Sequence, residues 1–163
     1  MVGSGPPASV HSRTAPFAPE RGGGEPGGRA EIAVAVIDDR ALFGESLATA
    51  VNAQAGDVVM RHWRCAQALA DLQAIQHDAD IVLVCIGRAS LTKGLTNQLL
   101  KALLRDDSHP PVAVLADTVN PGMVRSGMAM GLGGMIASSV PLGSVISALR
   151  QIHSGATVLP NMH

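Results

Sequence analysis

The stretch DADIVLVCIGRAS, residues 78–90, decides how the rest of the chain is read. Its centre, Ile81-Val82-Leu83-Val84, is a short apolar run without polar interruption. A strand covered on both faces has that pattern, whereas a strand with one wet face alternates. The run leads into Cys85, Ile86 and Gly87, then a polar loop. In open parallel sheets, chemistry sits outside the carboxyl ends of the strands. A thiol at such a place therefore needs an account.

Reading outward, IAVAVI (Ile32 to Ile37) is a second continuous apolar run, followed by Asp38-Asp39-Arg40. A helical period comes next, with Phe43, Leu47, Ala50, Val51 and Gln54 on one face. VVMRHW, from Val58, is a shorter and more polar strand, expected at an edge. Cys65, Leu69 and Leu72 continue at helical spacing to about Gln76-His77. Beyond the opening stretch, Leu95, Leu99 and Leu103 mark a third helix, which Pro110-Pro111 stops. Val112 to Ala116 reads as a fourth strand. Pro121 suits the first position of a fourth helix carrying Val124 and Met128. Met135 to Ala137 is a short fifth strand, and Pro141 opens a last helix with Val145, Leu149 and Ile152 on one face.

Strict alternation of strand and helix predicts an α/β domain, a parallel sheet with helices on both faces. With the strongest apolar runs central, the flavodoxin-like doubly wound order 2-1-3-4-5 follows, with its switch point between strands one and three. Asp38, Asp39 and Cys85 would meet at those carboxyl ends.

Composition narrows the function. The 163 residues suffice for one domain with a proper core. Aromatics are only 2%, so that core is aliphatic. A net charge of −1 provides no field for a phosphate backbone, and few rings are available to stack on bases. Direct nucleic-acid binding by this chain is not expected. Cys65 and Cys85 form no CxxC or zinc spacing, and the histidines are scattered. No apolar run approaches the roughly 18 residues of a membrane span, and no signal core opens the chain. The expected location is cytoplasmic. Residues 1–30 are rich in Gly, Pro, Ser and Ala and read as a disordered arm. Residues 31–155 form the domain, and 156–163 begin a linker or C-terminal tail. No P-loop, GxGxxG after the first strand or nucleophile elbow is present, so no enzyme is expected.

Four segments, in order, resemble the receiver domain of bacterial response regulators, above all the subfamily with a LuxR-type helix-turn-helix (the NarL and FixJ type). VIDDRALFGESL resembles its first strand, acidic pair and first helix; DADIVLVCIG its third strand; GMAMGLGGMIASS its fourth-helix and fifth-strand segment; SALRQIHSGATVLP its last helix and linker. The resemblance covers about Ile32 to Pro160. It implies a signalling role, with a phosphoacceptor aspartate after strand three, a Thr or Ser after strand four, a lysine after strand five, and an acidic pair that helps hold magnesium. At those places this chain has Cys85, Ala116, Ser138, and Asp38 with Asp39. Asp80 is no substitute acceptor, because it lies at the opposite end of the strand, roughly 17 Å away.

The expectation is an atypical receiver, degenerate at its phosphoacceptor pocket and independent of aspartate phosphorylation. No cofactor is expected beyond weak Mg²⁺ at Asp38 and Asp39; alternatively, one of that pair caps the first helix. A soft thiol is poorly matched to that ion. Cys85 reads as an inert filler, a redox- or ligand-sensing thiol, or a nucleophile. Two nearby carboxylates would suppress its thiolate and favour the first. The expected partners are a second copy or another protein, through helix four, strand five and helix five, where Met123, Met128, Met130 and Met135 gather; most of these read as packing, with an adaptable contact surface as the alternative. A LuxR-type DNA-binding domain would follow in a longer gene product. The competing readings are a conventional phosphorelay receiver with another acceptor, and a thiol or ligand sensor on the same fold.

Overall fold

Every residue of the decisive run is buried, and it forms the middle strand of a five-stranded parallel sheet. The computed structural model describes residues 31–161, so the arm expected over residues 1–30 lies outside the described residues. The strands are β1 (Ile32–Ile37), β2 (Val58–Trp63), β3 (Ile81–Gly87), β4 (Val112–Ala116) and β5 (Gly134–Ala137), in the order β2-β1-β3-β4-β5. The helices are α1 (Ala41–Gln54), α2 (Cys65–Ala70), α3 (Leu72–Asp78), α4 (Gly94–Leu103), α5 (Pro121–Met130) and α6 (Leu142–His153). The flavodoxin-like, doubly wound order expected from the sequence is present. No helix of the described residues is long and apolar enough to cross a membrane.

The period-two geometry of β3 divides the interior into two cores. Ile81, Leu83 and Cys85 pack with Val51 of α1 and Leu149 of α6. Val82, Val84 and Ile86 face the other way, toward Ala68 of α2 and Leu99 and Leu103 of α4. Cys65 belongs to this second core and Cys85 to the first. The sheet lies between the two thiols, and both are free.

Side-chain hydrogen bonds fix the pairing. The Asp80 amide donates to Ala33 O at 2.7 Å, and its carboxylate accepts from Ala33 N at 2.8 Å, locking β3 against β1. At the outer edge, Asn52 donates to Met60 O at 2.9 Å and accepts from Met60 N at 2.7 Å. One side chain of α1 thus occupies the backbone groups that an exposed edge strand would offer to another chain.

Several expectations need correction. The second helix is two helices, broken at Asp71, where φ −113° and ψ 32° leave the helical region. In α1 the buried residues are Gly44, Ala48 and Val51, while Gln54 is exposed. Small side chains let this helix lie close to the sheet, so its contact face is centred on them and not on its larger residues. In α4 the buried positions are Leu99, Leu100 and Leu103; Leu95 is exposed, because the helix begins only one residue before it. Pro141 does open α6, as its N-cap. Past α6, the chain returns to the sheet: Val158 O accepts from Met135 N at 2.8 Å beside the free edge of β5.

Gly44 shows how tight the α1 contact is. A Cβ built there would run into the imidazole of His62 on β2. Gly to Ala inside an exposed helix ordinarily stabilises by about 1 kcal/mol. Here the collision outweighs that gain, and Gly44→Ala is expected to destabilise the fold by about 1–2 kcal/mol. Urea unfolding followed by the fluorescence of Trp63, the only tryptophan, measures this; a raised midpoint would show that His62 is not held in place.

Candidate functional site

β1 ends at Ile37, and the next residue, Asp38, is a carboxylate only 2% exposed. A buried charge must be paired and hydrogen-bonded to be tolerated. The backbone of Asp38 is satisfied first: its N–H donates to Trp63 O at 3.0 Å, and its carbonyl accepts from His62 Nε2 at 2.7 Å. That acceptor makes Nε2 the protonated ring nitrogen of His62. The carboxylate is satisfied by Arg40. Oδ1 accepts from the Arg40 amide at 2.8 Å and from Nε at 3.1 Å, and Oδ2 accepts from the terminal guanidinium nitrogen at 3.0 Å. This two-pronged, charge-assisted geometry is the strongest form of such a pair.

The guanidinium is held on other sides too. Its carbon lies 4.4 Å from the centre of the Phe43 ring, one turn into α1. Gly87, at the end of β3, has φ +59°, a conformation that favours glycine. A Cβ there would lie 3.4 Å from a terminal guanidinium nitrogen, an ordinary contact distance. The Arg40 pKa is raised, first by the hydrogen bonds to Asp38, with further attraction from Asp38 and Asp117 against the opposing effect of burial.

Asp39, its neighbour in sequence, turns elsewhere. Its Oδ1 accepts from the backbone N–H of Cys65 at 2.8 Å, satisfying the start of α2. A carboxylate at a helix N-terminus meets orphan donors and the positive end of the dipole. The expected alternative, one of the pair capping the first helix, is corrected in detail: α1 has no side-chain cap, and Asp39 serves α2.

The remaining sequence-derived positions line the same carboxyl ends. Cys85 is 6% exposed and lies inside β3, which runs on to Gly87 with a register irregularity between the two. Burial above all, then Asp38, pushes its thiol far above the ordinary range, against a smaller opposing pull from Arg40. Ala116 is fully buried at the end of β4, and its carbonyl accepts from Ser138 N at 2.9 Å. The Ser138 hydroxyl donates to Asp117 Oδ1 at 2.9 Å, while Asp117 N donates to Gly87 O at 2.8 Å. Asp38, Cys85, Ala116 and Ser138 thus share one end of the sheet, while the Asp39 carboxylate is committed to α2.

Sequence reasoning missed Arg40, His62 and Asp117. Arg40 was legible in part: an Arg two residues after an acidic strand end can reach back to it. Contacts from His62 and Asp117 depend on strand adjacency, which spacing does not carry.

The resemblance implies magnesium at the acidic pair and the acceptor position. The donors do not fit that ion. Both oxygens of Asp38 face Arg40, one of Asp39 faces a backbone N–H, and Cys85 is a protonated soft donor. Among the described residues, no group of three or more His, Cys, Asp or Glu side chains is arranged to hold a metal.

No protein-family model and no curated protein matches this sequence. Solved structures do. A LuxR family DNA-binding response regulator from Silicibacter pomeroyi superposes with a TM-score of 0.64 at 20% identity, covering 80% of this chain and 97% of that one. The isolated REC domain of RcsB from Salmonella enterica serovar Typhimurium, in its apo form, gives 0.67 at 16% identity, over 80% and 94%. The chemotaxis response regulator CheY4 of Vibrio cholerae gives 0.61 at 14% identity, over 76% and 99%. The fold is that of a receiver domain. Such distant identity establishes the architecture, and the chemistry of the receiver pocket in this chain rests on its own residues.

Those residues make a pH prediction. The Cys65 thiol is pushed up to about 11, first by burial and then by Asp39, from the ordinary 9.0. Cys85 is shifted in the same direction. A folded-state pKa above the unfolded one means that the fold favours the protonated thiol. That stabilisation is complete below about pH 9 and is lost as pH rises through about 11. Urea midpoints are therefore expected to fall across this window. The chain has no tyrosine, so thiolate absorbance can be followed directly. The native chain should develop it well above the pH at which the urea-unfolded chain does; coincident titrations would contradict the buried, protonated thiols.

Proposed function

We propose that this chain is an atypical receiver module, acting in two-component-type signal transduction through protein–protein contact and without phosphorylation of an aspartate. The observation that carries this reading is the two-pronged pairing of Asp38 with Arg40 beside the protonated thiol of Cys85.

Forming an acyl phosphate needs a carboxylate nucleophile, with cationic groups to offset the incoming phosphoryl charge. The acceptor position holds a thiol that burial keeps neutral. Ala116 has no hydroxyl to offer a phosphoryl oxygen. Ser138 carries no charge, and its hydroxyl already donates to Asp117. Each group the reaction would need is either replaced or engaged elsewhere. The same burial argues against Cys85 as a sensor or nucleophile, since the thiolate is the reactive form. Catalytic turnover is not part of this reading.

Output is assigned to the face formed by α5, β5 and α6, through a second copy or a partner protein. Met123, Met128 and Met130 lie half-buried on α5 against the core, and methionine surfaces adapt to partners. In a longer gene product, a LuxR-type DNA-binding domain would convert that contact into transcription regulation; the Silicibacter pomeroyi neighbour, a LuxR family DNA-binding response regulator, supports this part.

Incubation with acetyl phosphate and Mg²⁺, followed by intact-mass measurement, tests the reading. The expected result is an unmodified chain, with the same monomer–dimer distribution before and after. A stoichiometric phosphoryl adduct on an aspartate would overturn it.

A further inference from the structure

Asp38 retains the position of an ion-binding carboxylate yet faces a cation belonging to its own chain. We propose that the guanidinium of Arg40 is a resident cation that occupies, from within the chain, the place at Asp38 where a divalent metal would otherwise bind.

Three features beyond the ion pair support this. First, the guanidinium is seated by Asp38 after β1 and Phe43 on α1, and it lies at ordinary contact distance from where a Cβ of Gly87 on β3 would be. Second, Asp117 at the same end of the sheet adds a weaker attraction for the guanidinium, while its own groups are tied to Ser138 and to Gly87 O. Third, the chain distance is only two residues, and the Arg40 amide itself donates to the same carboxylate oxygen as Nε. A group tethered that closely acts at an effective concentration on the order of millimolar or above. A dissolved divalent ion has to displace it from Asp38 while being repelled by its charge. Guanidinium does not deprotonate in proteins, so a rise in pH does not empty the pocket.

This inference is separate from the phosphoryl chemistry above. A chain that takes no phosphate can still bind a metal at Asp38, and the test reads the metal alone.

The measurement is amide line-broadening by Mn²⁺ in the folded, isotopically labelled chain. In the wild type, the signals of Asp38, Gly87 and Asp117 are expected to broaden no more than those of exposed Asp106 and Asp107. In Arg40→Gln they should broaden selectively, at Mn²⁺ concentrations at least about tenfold below those affecting the wild type. Arg40 is half-exposed, and Arg40→Met, which keeps the apolar stem over Phe43, provides a second chain should Arg40→Gln not fold. Selective broadening at the same concentration in wild type and variant would mean that Arg40 does not contest the site. No selective broadening in the folded variant would mean that Asp38 offers a metal no place to contest. Either result overturns the proposal.

Discussion

A carboxylate taken out of water has to be matched where it stands, and Asp38, buried just past the end of β1, is such a group. Leaving one buried charge uncompensated costs about 3–5 kcal/mol, comparable to much of a small domain's stability. Arg40 supplies the match from two residues away. The pair fixes the turn between β1 and α1, and it seats the guanidinium over Phe43. The backbone of the same Asp38 is held by His62 and Trp63 on β2. Closeness of α1 to β2 follows from the same arrangement, because only Gly44 leaves room for the His62 ring.

Around this pair, the scaffold and the pocket are under different constraints. The strands serve two aliphatic cores at once, so each residue of β3 has a neighbour to fill on one face or the other. Such positions tolerate changes of identity but not of polarity or bulk. At the carboxyl ends, buried Cys85 and Ala116 still belong to the two cores, and the polar groups begin beside them. That difference is consistent with a receiver fold shared at 14–20% identity with its solved neighbours, over a pocket whose polar groups are paired with one another. Asp39 at α2, Ser138 with Asp117, and Asp38 with Arg40 each form a closed local contact.

Much of the architecture was legible because continuous apolar runs mark strands buried on both faces. β1, β2 and β4 match their runs residue for residue, and the sheet order followed from run strength and alternation. The helix faces were less legible. In α1, Gly44 and Ala48 carry the contact, and small residues give almost no periodic signal. Asp71 broke a helix that leucine spacing had made continuous, through its own backbone conformation. In the pocket, Asp38 and Cys85 were placed by position along the strands, whereas Ala116 and Ser138 were named only through the resemblance to receiver domains. The direction of Asp39 was not, because its partner is a backbone N–H across the β2–α2 turn. Arg40 was legible only in part: it directly follows the acidic pair, but its reach back to Asp38 depends on the turn between β1 and α1.

The central claim is that the acid pocket is closed by its own chain and does not respond to a phosphoryl group. Amide spectra of the labelled protein, recorded with Mg²⁺ and then with added beryllofluoride, test it most directly. The predicted result is superimposable spectra, including the signals of Cys85, Ala116, Asp117 and Ser138. Saturable shifts centred on those residues and extending into α5 and β5 would contradict it.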